Sequence, residues 1–224
     1  METSMPNIGI IGTAGRDKTI KMTKTLWRLM QEDLDSRLPQ DAHLVSGGAA
    51  WADHLAVALF LNERCSKLSL YLPAPMKNGV YAGPARSSAA SANFYHQQFS
   101  EEIGVDSRKQ IQDLSGTEGV RITMEPAAPG FAAMFARNKK IAQLSDVLIA
   151  YTFGDGDEPL PGGTLDTWRQ AKCQSKIHVN LRPLLDRANK IDQLEISKKA
   201  EIAKPKTTTK RFSFDAPRTR PKPR

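Results

Sequence analysis

The sequence predicts an α/β chain whose mainly parallel sheet is covered by helices on both faces, followed by a basic, disordered C-terminal tail. Three observations carry that prediction. Short, almost wholly apolar runs such as Asn7-Ile-Gly-Ile-Ile-Gly12 alternate with amphipathic stretches, as expected of strands buried on both faces and joined by crossover helices. Glycine-rich turns stand three times where a strand-like run passes into a helix-like one: Gly12-Thr-Ala-Gly-Arg16, Ser46-Gly-Gly-Ala-Ala-Trp-Ala-Asp53 and Pro161-Gly-Gly-Thr-Leu-Asp-Thr167. From about residue 191, Lys, Arg, Pro and Thr displace apolar residues, and such a segment cannot bury enough surface to offset its ordering entropy. The expected division is therefore an α/β domain over 1–190 and a tail over 191–224.

Taken in order, Asn7–Gly12 is the first, central strand. Residues 17–38 place Met22, Leu26, Leu29, Met30 and Leu34 at three- and four-residue spacing, an amphipathic helix that Pro39 ends. His43–Ser46 is a second strand, and the Gly47-Gly48 turn leads to a helix from about Ala50 to Glu63 carrying Leu55, Leu59 and Phe60. Lys67–Leu72 is a third strand, stopped by Pro73 and Pro75. This β-α-β-α-β order implies right-handed crossovers. Residues 82–92, rich in small side chains without a period, read as a loop over the strand ends. Short helices are expected over 94–99 and 106–114, a strand over 120–124, a helix over 131–144 and a strong strand over 146–152. An acidic loop, Gly154-Asp-Gly-Asp-Glu158, precedes the third glycine turn. A helix from Leu165 to about Gln174 and a strand over 177–181 complete the sheet.

The charge is informative through its location. Ten of the 32 Lys and Arg, but only Glu201 and Asp215 of the 24 acidic residues, fall from Lys198 onward, so the tail accounts for the formal charge of +8 and the body is neutral. A broad nucleic-acid face on the domain thereby loses its main support, while the tail, with Phe212 and Phe214, suits either sequence-blind contact with nucleic acid or a solubilising or anchoring role. Cys65 and Cys173 form no CxxC, and the four histidines lie in no metal-ligand pattern. No disulfide framework, metal site or cofactor is expected, and a reducing, cytoplasmic location is. No apolar run reaches the roughly 18 residues of a membrane span, so no membrane partner is expected.

Each glycine turn would present free main-chain amides at the positive end of a helix, which is phosphate-binding chemistry. In the first turn Gly12 and Gly15 allow close approach of a ligand, Thr13 offers a hydroxyl and Arg16 a guanidinium. The spacing is not GxGxxG, so no NAD fingerprint is read. In the second, Ser46, Gly47 and Gly48 form the turn, and Asp53 either accepts from a ribose hydroxyl or simply favours the helix N-terminus. Trp51 is open to two readings, base stacking and packing. In the third, Gly162, Gly163, Thr164 and Thr167 line the turn. Arg137 shares a helix face with Ile141, an awkward place for a charge that a phosphate would resolve, and Asn138 stands beside it.

These motifs, Gly12-Thr13, Ser46-Gly-Gly-Ala with Asp53, Phe135-x-Arg-Asn before Ser145-Asp146, and the late Gly-Gly-Thr-x-x-Thr, are similar in order and spacing to the SLOG superfamily, which contains DprA and the Lonely Guy phosphoribohydrolases. The resemblance covers residues 7–182. It implies a Rossmann-like three-layer fold, a nucleotide or nucleotide-derived ligand at the strand ends, and frequent homodimers. Lonely Guy enzymes carry Pro-Gly-Gly-x-Gly-Thr-x-x-Glu and cleave the N-glycosidic bond of nucleoside 5′-monophosphates. Here Thr167 stands at the glutamate position, so a catalytic reading turns to Arg137 with Asp53 or Asp166. Helix geometry turns Asp166 about 100° from Thr167. The alternative is DprA-like binding of single-stranded DNA, with the tail supplying affinity.

Overall fold

In the computed structural model, which describes residues 5–40 and 42–202, strand β1 (Asn7–Gly12) runs through the centre of a six-stranded sheet. Helix α1 (Lys24–Arg37) follows, with the Thr23 hydroxyl accepting from the Leu26 amide as its N-cap. Strand β2 (His43–Ser46) leads to a short 3₁₀ helix (Trp51–His54) continuous with α2 (Leu55–Leu61). Strand β3 (Lys67–Leu72) precedes a small antiparallel hairpin, β4 (Met76–Lys77) and β5 (Val80–Tyr81). Helices α3 (Ser88–Ile103) and α4 (Ser107–Asp113) come next, then β6 (Val120–Met124), α5 (Ala132–Leu144), β7 (Val147–Thr152), α6 (Gly163–Gln170), β8 (Ser175–Asn180) and α7 (Arg182–Ile202).

The strand order is β6-β3-β2-β1-β7-β8, and every neighbouring pair is parallel. The chain builds outward from β1 through β2 and β3 to β6, then returns to the other side of β1 at β7. Right-handed crossovers taken in opposite directions put their helices on opposite faces of the sheet. The two buried clusters agree. One joins Ile8, Ile10, Leu44 and Leu70 to α1, α2, α3 and α7, and the other joins Ile11, Val45 and Leu148 to α5 and α6. The alternation Ile10 against Ile11, and Leu44 against Val45, is the two-residue period of strands buried on both faces. The fold is thus a Rossmann-like α/β fold, and its switch point lies between β1 and β7.

Several local readings change. The helix expected from Asp17 begins at Lys24, because Asp17 forms its own turn, its carboxylate accepting from the Thr19 amide at 2.9 Å. The loop expected over 82–92 and the short helix over 94–99 are largely one helix, α3, capped by the Ser87 hydroxyl. Its buried positions Ala89, Ala92, His96, Phe99 and Ile103 have helical spacing, which small residues disguise in sequence. The tail boundary drawn at 190 lies inside α7. Residues 191–202 are helical, with Ile191 packed on the core and Thr25 Oγ1 donating to Asp192 on α7. Residues 203–224, which hold most of the basic tail, lie outside the described residues. Among the described residues no helix is long and apolar enough to cross a membrane, and no cluster of His, Cys, Asp or Glu has a metal-holding arrangement.

Candidate functional site

The chain leaves the carboxyl ends of β1 and β7 at the switch point, the place where open α/β sheets form a crevice. Here that crevice is a cavity of about 590 Å³. Of the sequence-predicted residues, Gly12, Thr13, Arg16, Gly48, Asp53, Arg137, Asn138, Gly162, Gly163, Thr164 and Thr167 line it. Gly15, Ser46, Gly47 and Asp166 do not.

The first two turns are knitted to each other and to the sheet. The Thr13 amide donates to the Tyr151 carbonyl at 2.9 Å, and the Ala52 amide donates to the Thr13 carbonyl at 3.2 Å. A side chain on Gly12 would drive a Cβ into the Tyr151 carbonyl oxygen and the Ala52 methyl group, so only glycine lets the strand end approach this closely. The Gly15 amide is held by Thr13 Oγ1 at 3.1 Å. Ser46 donates to the Asp53 carbonyl at 2.7 Å and accepts from the Gly48 amide at 3.3 Å, which makes it a buried brace of the second turn rather than a ligand contact. Gly47 offers its carbonyl to Arg137 Nη1, and a Cβ there would sit 2.7 Å from Asp53 Oδ2. Trp51 is buried with Trp27 and Phe99, its ring centroid 4.7 Å from that of Phe99. It therefore packs. Its positive φ of 63° is strained for a non-glycine residue, and burial of the indole offsets that strain.

Asp53 is central to the inner wall. Its carboxylate lies 3.8 Å from Arg137 Nη2, and the main-chain amides of Ala49 and Gly12 favour its charged form. Burial raises the Asp53 pKa to about 6, with Arg137, the two amides and Arg16 opposing the rise. Arg137 is equally buried, as its spacing with Ile141 predicted, and its Nε has no partner among the described residues.

The third turn is different. Helix α6 begins at Gly163 with no side-chain cap, and its first ladder bond runs from the Asp166 amide to the Gly162 carbonyl at 3.0 Å. The amides of Gly163, Thr164 and Leu165 have no acceptor among the described residues. Thr164 Oγ1 ties the turn to the Gly12 carbonyl at 3.0 Å, and Thr167 Oγ1 donates back to the Gly163 carbonyl at 2.8 Å. An uncapped helix start leaves main-chain amides free at the positive end of the helix dipole. Asp166 is exposed one residue away from Thr167 and faces off the cavity, so it has no part in the site.

Sequence reasoning missed the apolar half. Tyr81 and His96 line the inner end, and Tyr95, Phe131, Phe135 and Leu160 the outer. Phe131, Phe135 and Leu160 remain 50%, 54% and 57% exposed, which places them at the mouth, where Arg16 also lies over the Tyr95 ring. A signal for Tyr81 existed: Asn78-Gly79 between short strands is a type I′ hairpin sequence, and both residues have positive φ, 51° and 75°. The cavity thus joins the uncapped start of α6 and an ion pair to an aromatic wall, the mixture of a few polar groups and apolar lining that small-molecule sites have.

No protein-family model matches the chain. Among solved structures, DNA processing protein A from Helicobacter pylori, described for its single-stranded DNA binding mode, aligns over 84% of this chain and 80% of that chain at 15% identity, with a TM-score of 0.38, a likeness too weak to bear on function. Sequence similarity is stronger to the uncharacterized protein R261 of Acanthamoeba polyphaga mimivirus, 36% identical over 183 residues that cover 78% of this chain and 95% of that protein. The chain belongs to the family of that mimivirus protein.

Proposed function

We propose that this chain is a SLOG-like binder of a nucleotide or nucleotide-derived ligand, with the phosphate at the N-terminus of α6 and the nucleoside extending over Asp53 and Arg137. The observation that carries this reading is the convergence of three separate turns and α5 on one cavity at the switch point, with three amides of α6 open toward it. On the inner wall Asp53 and Arg137 offset each other's charge, and the helix dipole draws an anion to the start of α6. Mass spectrometry of small molecules released from gently purified protein is expected to detect a nucleoside phosphate or derivative. Titration with nucleoside 5′-monophosphates is expected to saturate the site. Failure of every monophosphate to bind would defeat the reading.

A catalytic reading is favoured by one feature, the buried Asp53–Arg137 pair in the same cavity. A carboxylate near C1′ can stabilise the oxocarbenium-like state of N-glycosidic cleavage, in which water adds to C1′ and the base leaves with a proton. On this reading chromatography detects free base, and Asp53→Asn abolishes its release. The carboxylate must be ionised, so turnover rises with pH through about 6 and levels above it. Release of base by Asp53→Asn at the wild-type rate would exclude the role. The homodimer and the tail's contact with nucleic acid stand as further parts of this proposal, tested by light scattering and by DNA binding after truncation at Ser197.

A further inference from the structure

Tyr81 is 3% exposed, yet it forms part of the cavity wall, and its hydroxyl has no hydrogen-bond partner among the described residues. The rest of the residue is closely held. The Asn93 side chain clasps its backbone on both sides, accepting from the Tyr81 amide at 2.9 Å and donating to the Tyr81 carbonyl at 2.8 Å. The ring packs against His96, centroids 5.7 Å apart, and His96 is itself fixed between the Gly48 carbonyl at 2.9 Å and Ser107 Oγ at 2.8 Å. A phenol positioned this firmly cannot turn to find an acceptor elsewhere. Leaving a buried hydroxyl unpaired is costly to a protein, so a ring held in this way without an acceptor marks a place where one arrives from outside.

A second orphan lies along the same wall. Arg137 Nε is buried without a partner, while the two terminal nitrogens of that guanidinium face the Gly47 carbonyl and Asp53. The same cavity is therefore lined by Tyr81 from the hairpin that follows β3, by Asp53 and Arg137, and by the start of α6, which follows β7. A phosphate at α6 leaves the Tyr81 end for the remainder of the ligand. The sugar and base of a nucleoside offer only uncharged acceptors, so the acceptor that arrives at that end is uncharged.

From this arrangement, and resting on the nucleotide reading above, we infer that the Tyr81 hydroxyl is a specificity-determining donor to an uncharged acceptor on the nucleoside part of the ligand, a sugar oxygen or a base atom. Burial keeps the phenol protonated well above its usual range, so it serves as a donor at every physiological pH. Because the hydroxyl makes no bond within the protein, removing it leaves the ligand-free fold at least as stable as before. A site that hydrogen-bonds its ligand from a buried group also discriminates strongly against analogues that lack the matching atom.

The test is calorimetric titration of the full chain, wild type and Tyr81→Phe, with the four common ribonucleoside 5′-monophosphates, their 2′-deoxy counterparts and inorganic phosphate. Tyr81→Phe is expected to weaken the tightest wild-type monophosphate about tenfold, the equivalent of one hydrogen bond of roughly 1.4 kcal/mol. Inorganic phosphate affinity should not change, and the ligand-free thermal midpoint should stay level or rise. Loss of discrimination between ribose and 2′-deoxyribose would put the acceptor on the sugar, and loss of discrimination among bases would put it on the base. Unchanged affinity for every monophosphate, an equal loss for inorganic phosphate, or a lowered ligand-free midpoint would each overturn the inference alone. A wild-type chain that binds none of these probes overturns the nucleotide reading and the inference with it.

Discussion

Arg137→Ala should destabilise the protein by about 3–5 kcal/mol at pH 7.5, the usual range when one partner of a buried pair is removed, and by clearly less at pH 5. The reason lies with Asp53. Its carboxyl already titrates near pH 6 because burial disfavours the charge, and Arg137 is the first-ranked influence holding that value down. Without the guanidinium the folded-state pKa moves higher still, further above the unfolded value of 3.8. A carboxyl whose pKa is raised by folding weakens the fold once it is ionised, and that penalty disappears as pH falls through the folded pKa. The loss at pH 5 is then confined to the bond from Nη1 to the Gly47 carbonyl and to packing of the side-chain stem. Urea unfolding at the two pH values measures the difference. Arg137→Met, which retains much of the stem, should show the same pH dependence with a smaller constant part. Equal losses at both values would mean that the pair is not the coupled unit described.

Acidification of the wild-type chain should destabilise it with a slope near one proton, about 1.4 kcal/mol per pH unit around pH 5. His54 and His96 are fully buried, their ring centroids 5.8 Å apart. Burial lowers the first to about 4 and the second to about 3, the latter with help from His54. Their surroundings favour the neutral rings: His54 Nδ1 faces no partner among the described residues, while Nε2 reaches Gln110 at 3.0 Å. For bases with depressed folded-state values, the unfolded chain takes up protons first as pH falls below about 6.5, so stability is lost from there downward. His43, lowered by partial burial, adds in the same sense.

Asp53 acts oppositely between about 4 and 6, where the folded chain holds the extra proton. Two protons gained on unfolding against one released leave a net of about one. Asp53→Asn should therefore steepen the slope to about 2.7 kcal/mol per pH unit, and His54→Asn in the wild-type background should flatten it by about 1.4. Stability curves from urea unfolding between pH 4.5 and 6.5 read both. A slope that neither substitution moves would place the acid sensitivity elsewhere.

How much of this was legible beforehand differs from residue to residue. Strand positions and the parallel class follow from apolar runs bounded by Gly12, Pro39, Pro73 and Pro75, because burial on both faces leaves a pattern no distant contact can disguise. The partial burial of Arg137 was readable for a similar reason, since its helix face is set by local spacing with Ile141. Ser46 and Gly47 were placed in the right turn, but the internal bonds they make there were not readable. Their hydrogen bonds run to Asp53 and Arg137, and which partner takes an amide or a carbonyl depends on what the fold brings near. Asp53 was an ambiguous capping residue in sequence, and enclosure by two turns and α5 made it a carboxyl near pKa 6.

By itself, then, the chain's order of residues determined a wound α/β sheet, the three glycine turns at strand ends, and the segregation of positive charge beyond Lys198. Periodicity, turn chemistry and composition are local properties, and they survive without knowledge of contacts. Only the tertiary structure decided that β7 returns beside β1, that the start of α6 stays without a side-chain cap, and that Tyr81 of a remote hairpin lines one cavity with Arg137. Those outcomes depend on long-range packing and on how burial changes the energy of each polar group, and neither is written in the spacing of neighbouring residues.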